Sequence, residues 1–274
     1  MKRLIIGFLS MLMASLAMAE DTYTFGVAPQ FEQRKLFAVW KPVMDELEKR
    51  TGVRFKFMST FSVPEFEQAV SKGAYDFIYV NPYHFYKERT RQAYVPLVRD
   101  RTPLRGIVVV RNDSPIKSIK DLDGKTLAVP SPNAIGASML PRAELERTHG
   151  VRTVMVHAKS HSSAYLHAIQ KLTDAAGGVE KTIVEQDKAI QDALRVVFRT
   201  RDFPSHPIAA HPRVPDAMQN KVRQALLDIS ASPQAEALLG DIPMSQAVPA
   251  TNKDYQVFQS LNLDAYWIEP AAKP

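Results

Sequence analysis

Residues 131–138 read SPNAIGAS, between an apolar strand-like run ending at Pro130 and a helix-like run beginning near Ala137. Two serines, an asparagine and a glycine in that order can cradle an anion. The first N–H groups of a helix have no intrahelical acceptor, and the helix dipole places partial positive charge behind them. Ser131, Asn133 and Ser138 could add side-chain donors, and Gly136 would let a ligand approach the backbone closely. The plain alternative is capping, with Ser131 or Asn133 closing an ordinary turn.

A second polar group, Ser160-His161-Ser162-Ser163, stands just before another helix-like run. His161 could donate to an oxyanion, and Ser162 and Ser163 could donate or cap. The alternative is an N-cap serine beside an exposed histidine. Tyr83 and His84 follow Pro82 after a strand-like run, and Gln30 follows the first strand. Ligands of α/β folds bind outside the carboxyl ends of strands, so all three are candidates, whereas Tyr79 reads as core.

Catalysis has less support. Ser205, His206 and His211, among seven histidines, invite a hydrolase reading. No G-x-S-x-G elbow is present, and His157 and His161 straddle a strand end and so share no helical face. The chain has no cysteine, which excludes thiol catalysis and Cys-ligated metals. No catalytic residue, metal or cofactor is therefore expected. Arg101 and Arg105 could pair with an anion, but they read better as solvated charges.

These candidates need a scaffold. The chain opens MKRLIIGFLSMLMASLAMAE: a basic start, a short apolar stretch, and Ala17-Met18-Ala19 as a small-x-small cleavage site. This predicts a signal peptide over 1–19 and export to the periplasm. The stretch is shorter than the roughly 20 apolar residues of a membrane span, and no cysteine follows for a lipid anchor. The formal net charge of +6 is spread along the chain without lysine runs interleaved with aromatics, so nucleic acid is not an expected partner.

Alternation and helical spacing then predict β-α-β-α-β over the first third: strands at 23–28, 53–58 and 76–80, with helices around 36–47 and 64–72. Pro42 either starts the first helix or kinks it. A second alternating unit carries strands at 106–111, 126–129, 151–156, 174–179 and 194–198. Its helices are expected at 137–149, 163–172 and 184–193. After Pro204 and Pro207 come a strand at 208–210, a helix at 215–229 and two polar helices near 234–239 and 253–261. The reading is two α/β lobes: 20–104 with 205–274 returning to the first, and 105–204 as the second. Two crossovers between lobes suit a hinged protein that closes on a ligand.

The mature chain resembles the periplasmic substrate-binding proteins of phosphate, phosphite and phosphonate ABC transporters. The likeness rests on FGVAPQ at 25–30, W-x-P at 40–42 and YDFIYVNPYHFY at 75–86. It continues through GIVVVRNDSPIKSIKDLDGKTLAV at 106–129, SHSSAYLHAI at 160–169, DAAGGVEKT at 174–182 and HPIAAHPRVPDAMQNKVRQALL at 206–227. The resemblance implies a two-lobed periplasmic binding protein of type II-like fold, each lobe a mixed sheet flanked by helices, with the ligand cleft at the hinge. It implies that Ser131, Asn133, Gly136, Ser138, His161, Ser162, Ser163, Tyr83, His84 and Gln30 hold a small phosphorus oxyanion. It also implies a monomer that delivers this anion to a permease in the inner membrane. The chain departs from the family where Ser and Thr are usual: Asn133, Ala134 and Ile135 precede Gly136. A ligand-sensing subunit of a membrane signalling protein and a secreted hydrolase are the competing readings.

Overall fold

The computed structural model describes residues 21–242 and 244–269. The signal peptide expected over 1–19 lies outside them. The chain begins with β1 (Thr22–Val27), α1 (Gln33–Thr51), β2 (Arg54–Met58), α2 (Val63–Ser71), β3 (Phe77–Tyr79), α3 (Pro82–Arg91) and β4 (Val95–Asp100). It continues with β5 (Gly106–Arg111), β6 (Thr126–Val129), α4 (Leu140–His149), β7 (Val154–His157), α5 (His161–Ile169) and β8 (Ala175–Val179). Then come α6 (Glu180–Val184), α7 (Lys188–Ala193), β9 (Leu194–Arg199), β10 (Pro207–Ala210), α8 (Asp216–Ala231), α9 (Ala235–Leu239) and β11 (Ala247–Pro249).

Two mixed sheets result. The first has the order β11-β4-β10-β3-β1-β2 and the second β7-β6-β8-β5-β9. In the first, β1 pairs parallel with β2 and β3, while β10 runs antiparallel between β3 and β4. In the second, β6 pairs parallel with β7 and β8, and β5 runs antiparallel to β8 and β9. The chain leaves the first sheet after Asp100 and returns at Pro207. Its two crossovers pair with each other: Leu104 donates to Phe203 at 2.8 Å and Phe203 to Leu104 at 2.9 Å.

Burial explains the elements. In α1, Leu36, Trp40, Val43, Met44 and Leu47 recur on one face and pack under β1 and β3 against Phe25, Phe77 and Tyr79. Gly52, at φ +67°, ends this helix and donates to the Glu48 carbonyl. Pro42 neither starts the helix nor breaks it: α1 runs nine residues ahead of it, from Gln33. The other face of the first sheet carries Phe66, Val70, Tyr83, Phe85, Tyr255 and Phe258, together with Ile135, Met139 and Leu140 of the second lobe. The C-terminal stretch, read from sequence as part of the first lobe, therefore packs on both. Arg147 donates to the carbonyl of Asn262 at 2.9 Å, and Tyr266 donates to Glu146 at 2.9 Å.

Three elements were not legible. Asn81-Pro82 reads as a break, yet it starts α3. The Asn81 side chain accepts from the amides of Tyr83 and His84, and Pro82 fills the first turn, where no N–H is needed. Strand β4 carries Pro96, which argues against a strand, but Pro96 faces Ala209 beside a bulge in β10. Strand β11 ends in Pro249 at the sheet edge, where proline is tolerated. Of the helix expected over 184–193, only Lys188–Ala193 forms one, as α7; α6 precedes it at Glu180–Val184. The helix expected from Ala137 begins instead with a π-helical turn, Ile135–Met139, that leads into α4.

Candidate functional site: a cleft between the two sheets

Strands β1, β3, β6, β7 and β8, each parallel to a neighbour, deliver their carboxyl-end loops to one place. A cavity of about 520 Å³ lies there, lined by Ala28 to Phe31 after β1, Asn81 after β3, Ser131 after β6, Lys159 to His161 after β7, and Val179 to Val184 around α6. The hinge adds Asp100, Thr102 to Arg105, Ser205 and His206.

The turn after β6 supplies the donors. The amides of Ile135, Gly136 and Ala137 open the π-helical turn, so no carbonyl within it can reach them. Those of Ser138 and Met139 are taken up by the Ala134 carbonyl. Ser131 accepts from the Asn133 amide at 3.3 Å, which leaves its own proton to donate. The turn lies hard against the second sheet because two facing positions have no side chain. A Cβ on Gly106 would stand 2.1 Å from the Gly136 carbonyl oxygen, and one on Gly177 would stand 2.0 Å from that of Ala137.

Two imidazoles face the same space, one from each lobe. His161 opens α5, whose N-cap Ser160 accepts from the Ser163 amide at 3.1 Å. The His161 Nδ1 is 3.4 Å from the Thr182 hydroxyl, which also meets the Tyr165 hydroxyl at 2.7 Å. His206 stacks on Tyr79 with 5.4 Å between ring centres, and its Nε2 is 3.3 Å from the Gln30 amide nitrogen. Burial pushes His161 down to about 4. Burial, with the His161 and Lys181 charges added, pushes His206 down to about 3. Both are neutral at neutral pH.

Three cations of the wall are paired within the protein, and a fourth, the exposed Lys159, has no such ion pair among the described residues. Arg105 pairs with Glu180 at 3.0 Å and Asp202 at 2.6 Å, and Arg199 pairs with Glu180 at 2.7 Å. Arg105, read from sequence as a solvated charge, is instead held between two carboxylates. Lys181 reaches from the second lobe to Asp100 at 3.8 Å and donates to the Ile242 carbonyl at 3.1 Å. Among the described residues no cluster of three or more His, Asp or Glu could hold a metal ion, and no helix is long and apolar enough to cross a membrane.

The structure brings together Gln30, Ser131, Gly136 and His161 at the cavity. It places the other candidates elsewhere. Ser138 is buried inside the π-helical turn. Ser162 is exposed and donates to Gln186 at 2.7 Å, and Ser163 serves the cap of α5. Tyr83 is buried and donates to Asp264 at 3.0 Å. His84 is buried with its ring centre 5.6 Å from that of Trp267, and burial lowers its pKa. Both lie in the first turn of α3, which turns their side chains into the core and away from the cleft.

Asn133 also leaves the ligand side and becomes a junction. Its amide nitrogen donates to Glu67 of α2 at 2.9 Å and to the Ile268 carbonyl at 2.7 Å, while its oxygen accepts from the Ile268 amide at 2.9 Å. Asn81 donates to the Asn133 carbonyl at 2.8 Å. Both lobes and the C-terminal stretch thus meet on one side chain. Burial is the main reason that the Glu67 carboxyl rises from 4.5 to about 7, against the Asn133 hydrogen bond that lowers it and with Glu269 nearby that raises it. A carboxyl with a raised folded pKa binds more protons folded than unfolded between those values. Its contribution to stability is therefore greatest below about 4.5 and is lost as pH rises through about 7. Glu67→Gln keeps the acceptor for Asn133 and removes the charge. It should stabilise the protein by about 3 kcal/mol at pH 8, at roughly 1.4 kcal/mol per pKa unit, and by almost nothing at pH 4. Urea unfolding of both proteins at the two pH values checks this; a gain independent of pH means that Glu67 is already charged in the fold.

Thr182 and Lys181 line the cavity and were not among the candidates from sequence, and His206, which also lines it, stood there only in the hydrolase reading. Strand β10 is antiparallel to its neighbours, so its amino end, where His206 stands, is the end that meets the cleft. Strand direction is not written in a local pattern. Polar residues at the second crossover were the available signal.

The family model described as the periplasmic substrate-binding protein of the phosphonate ABC transporter matches residues 25–255. The phosphonates-binding periplasmic protein of Escherichia coli K12 is 19% identical over 239 residues, spanning 80% of this chain and 70% of its own. Among solved structures, a binding protein component of an ABC phosphonate transporter from Pseudomonas aeruginosa superposes with a TM-score of 0.77 at 16% identity, over 88% of this chain and 85% of that one. PhnD1 of Prochlorococcus marinus, solved with methylphosphonate, has a TM-score of 0.77 at 12% identity, over 89% of this chain and 98% of its own. With the family's sequence model covering most of the chain and its two-lobed fold reproduced, the protein belongs to the periplasmic substrate-binding proteins of phosphonate ABC transporters.

Proposed function

We propose that this protein captures a phosphonate-class oxyanion in the cleft and hands it, as a monomer in the periplasm, to an inner-membrane permease. One observation carries the ligand site: the unpaired amides of Ile135, Gly136 and Ala137 open onto a cavity shared by Ser131 and two neutral imidazoles. Amides at a helix start hold oxyanions without a fixed cation, and hydrogen bonds to an ionised acceptor are the strong kind. The methylphosphonate bound by the Prochlorococcus marinus protein supports the same ligand class. The lobes divide at 104/105 and 204/205, and closure turns about the paired Leu104 and Phe203.

A thermal-shift screen with phosphate, phosphite, methylphosphonate, 2-aminoethylphosphonate and sulfate tests the reading. A ligand at 100 times its Kd stabilises the folded chain by roughly 2.7 kcal/mol. Ser131→Ala and His161→Ala should each weaken the best ligand about tenfold, since a lost donor to a charge costs on the order of 1–3 kcal/mol. Calorimetry on the two variants decides. Unchanged affinity in both means that the turn after β6 does not hold the ligand.

A further inference from the structure

We infer that the anion this cavity takes carries a bulky apolar substituent, as an aryl- or longer alkylphosphonate does, and is not a bare or methyl-sized oxyanion. The inference rests on the oxyanion reading above and adds the substrate class.

The first argument is size in an arrangement where the lobes touch. Lys181 already spans the cleft to Asp100 and the Ile242 carbonyl, and the two crossovers are paired. The cleft between the lobes, still partly open to solvent, measures about 520 Å³. At about 30 Å³ for each water-sized group, the five heavy atoms of methylphosphonate fill roughly 150 Å³. Most of the cavity would stay empty, whereas sites of several hundred Å³ suit organic ligands of larger size.

The second argument is chemistry. The free backbone donors cluster at the π-helical turn. Away from it the wall carries Phe31 and Val63 of the first lobe and Ile183, Val184 and Val196 of the second. Of the cations around the cavity, Arg105 and Arg199 share Glu180 and Lys181 meets Asp100, which leaves Lys159 alone for a charged group. A small, strongly hydrated anion would leave this apolar surface facing water. An apolar body attached to the anion covers it, and apolar burial is favourable in proportion to area.

Calorimetry on the mature full-length chain with phosphate, methylphosphonate, hexylphosphonate and phenylphosphonate is the test. The expected result is that phenyl- or hexylphosphonate binds at least tenfold more tightly than methylphosphonate. Equal or weaker binding of both overturns the size inference and leaves the oxyanion reading standing. No binding of any of the four, in a chain shown to be folded, overturns both. Val196→Trp fills part of the apolar wall and should bring the ratio of phenyl- to methylphosphonate affinity close to one without weakening methylphosphonate. If that variant fails to fold, Val184→Trp, at the exposed end of α6, serves in its place. A ratio unaffected by the tryptophan overturns the proposed seat of the substituent.

Discussion

Asn133→Ala is expected to lower the stability of the folded chain by about 4 kcal/mol, at a side chain outside the cavity lining. The substitution deletes three side-chain hydrogen bonds, to Glu67, to the Ile268 carbonyl and from the Ile268 amide. Asn133 and Glu67 are both buried, at 3% and 2% exposure, so water cannot replace what is lost. An unsatisfied buried group costs about 1–3 kcal/mol, and more where a charge is involved. For a chain of this size that corresponds to a fall in Tm of roughly 10 °C, at about 2–4 °C per kcal/mol. Differential scanning calorimetry measures it. If Tm holds and phosphonate affinity falls instead, Asn133 is a ligand donor and the junction described above is wrong.

Gly106→Ala should cost on the order of 100-fold in phosphonate affinity while the chain still folds. The added Cβ stands 2.1 Å from the Gly136 carbonyl oxygen and 3.0 Å from Thr200 Cγ2. Strand β5 cannot yield, because it is held by β8 on one side and β9 on the other. The π-helical turn must therefore move off the sheet, and its amides move with it. Losing two hydrogen bonds to an ionised ligand, at about 1.5 kcal/mol or more each, gives a factor of this order. The strain itself should lower stability by about 1–3 kcal/mol, the usual cost of overpacking. Titration calorimetry with the best ligand of the screen, alongside a thermal melt, separates the two effects. Unchanged affinity in a folded Gly106→Ala protein rules out the Ile135–Ala137 amides as the anion holder.

The elements of the chain were mostly legible because their signals are local. GIVVVR at 106–111 and TLAV at 126–129 are apolar runs bounded by turns, and they became β5 and β6 with those limits. Leu36, Trp40, Val43, Met44 and Leu47 repeat at helical spacing because one face of α1 is buried. The division into two mixed sheets also followed from the order of elements, since strands alternating with helices require layers. Among the cleft residues, Gln30, Ser131, Gly136 and His161 share a signal: each stands just past the carboxyl end of a strand that is parallel to its neighbour.

The remaining candidates were decided by tertiary structure. Asn133 and Ser131 are two positions apart and both carry side-chain donors, yet one serves a buried junction and the other the cavity. What separates them is the C-terminal stretch, 135 residues further along, which brings Ile268 against Asn133. Tyr83 and His84 look like ligand residues after a turn, but Asn81 caps a helix there, and its first turn points both rings into the core. His206 joins the cleft only because β10 enters the sheet antiparallel. The sequence by itself determined which segments are strands and helices and that they form two α/β layers, since alternation, spacing and turn residues act over a few positions. Which polar side chains meet the ligand was decided by strand direction and by contacts between segments far apart in the chain, and those depend on how whole elements pack.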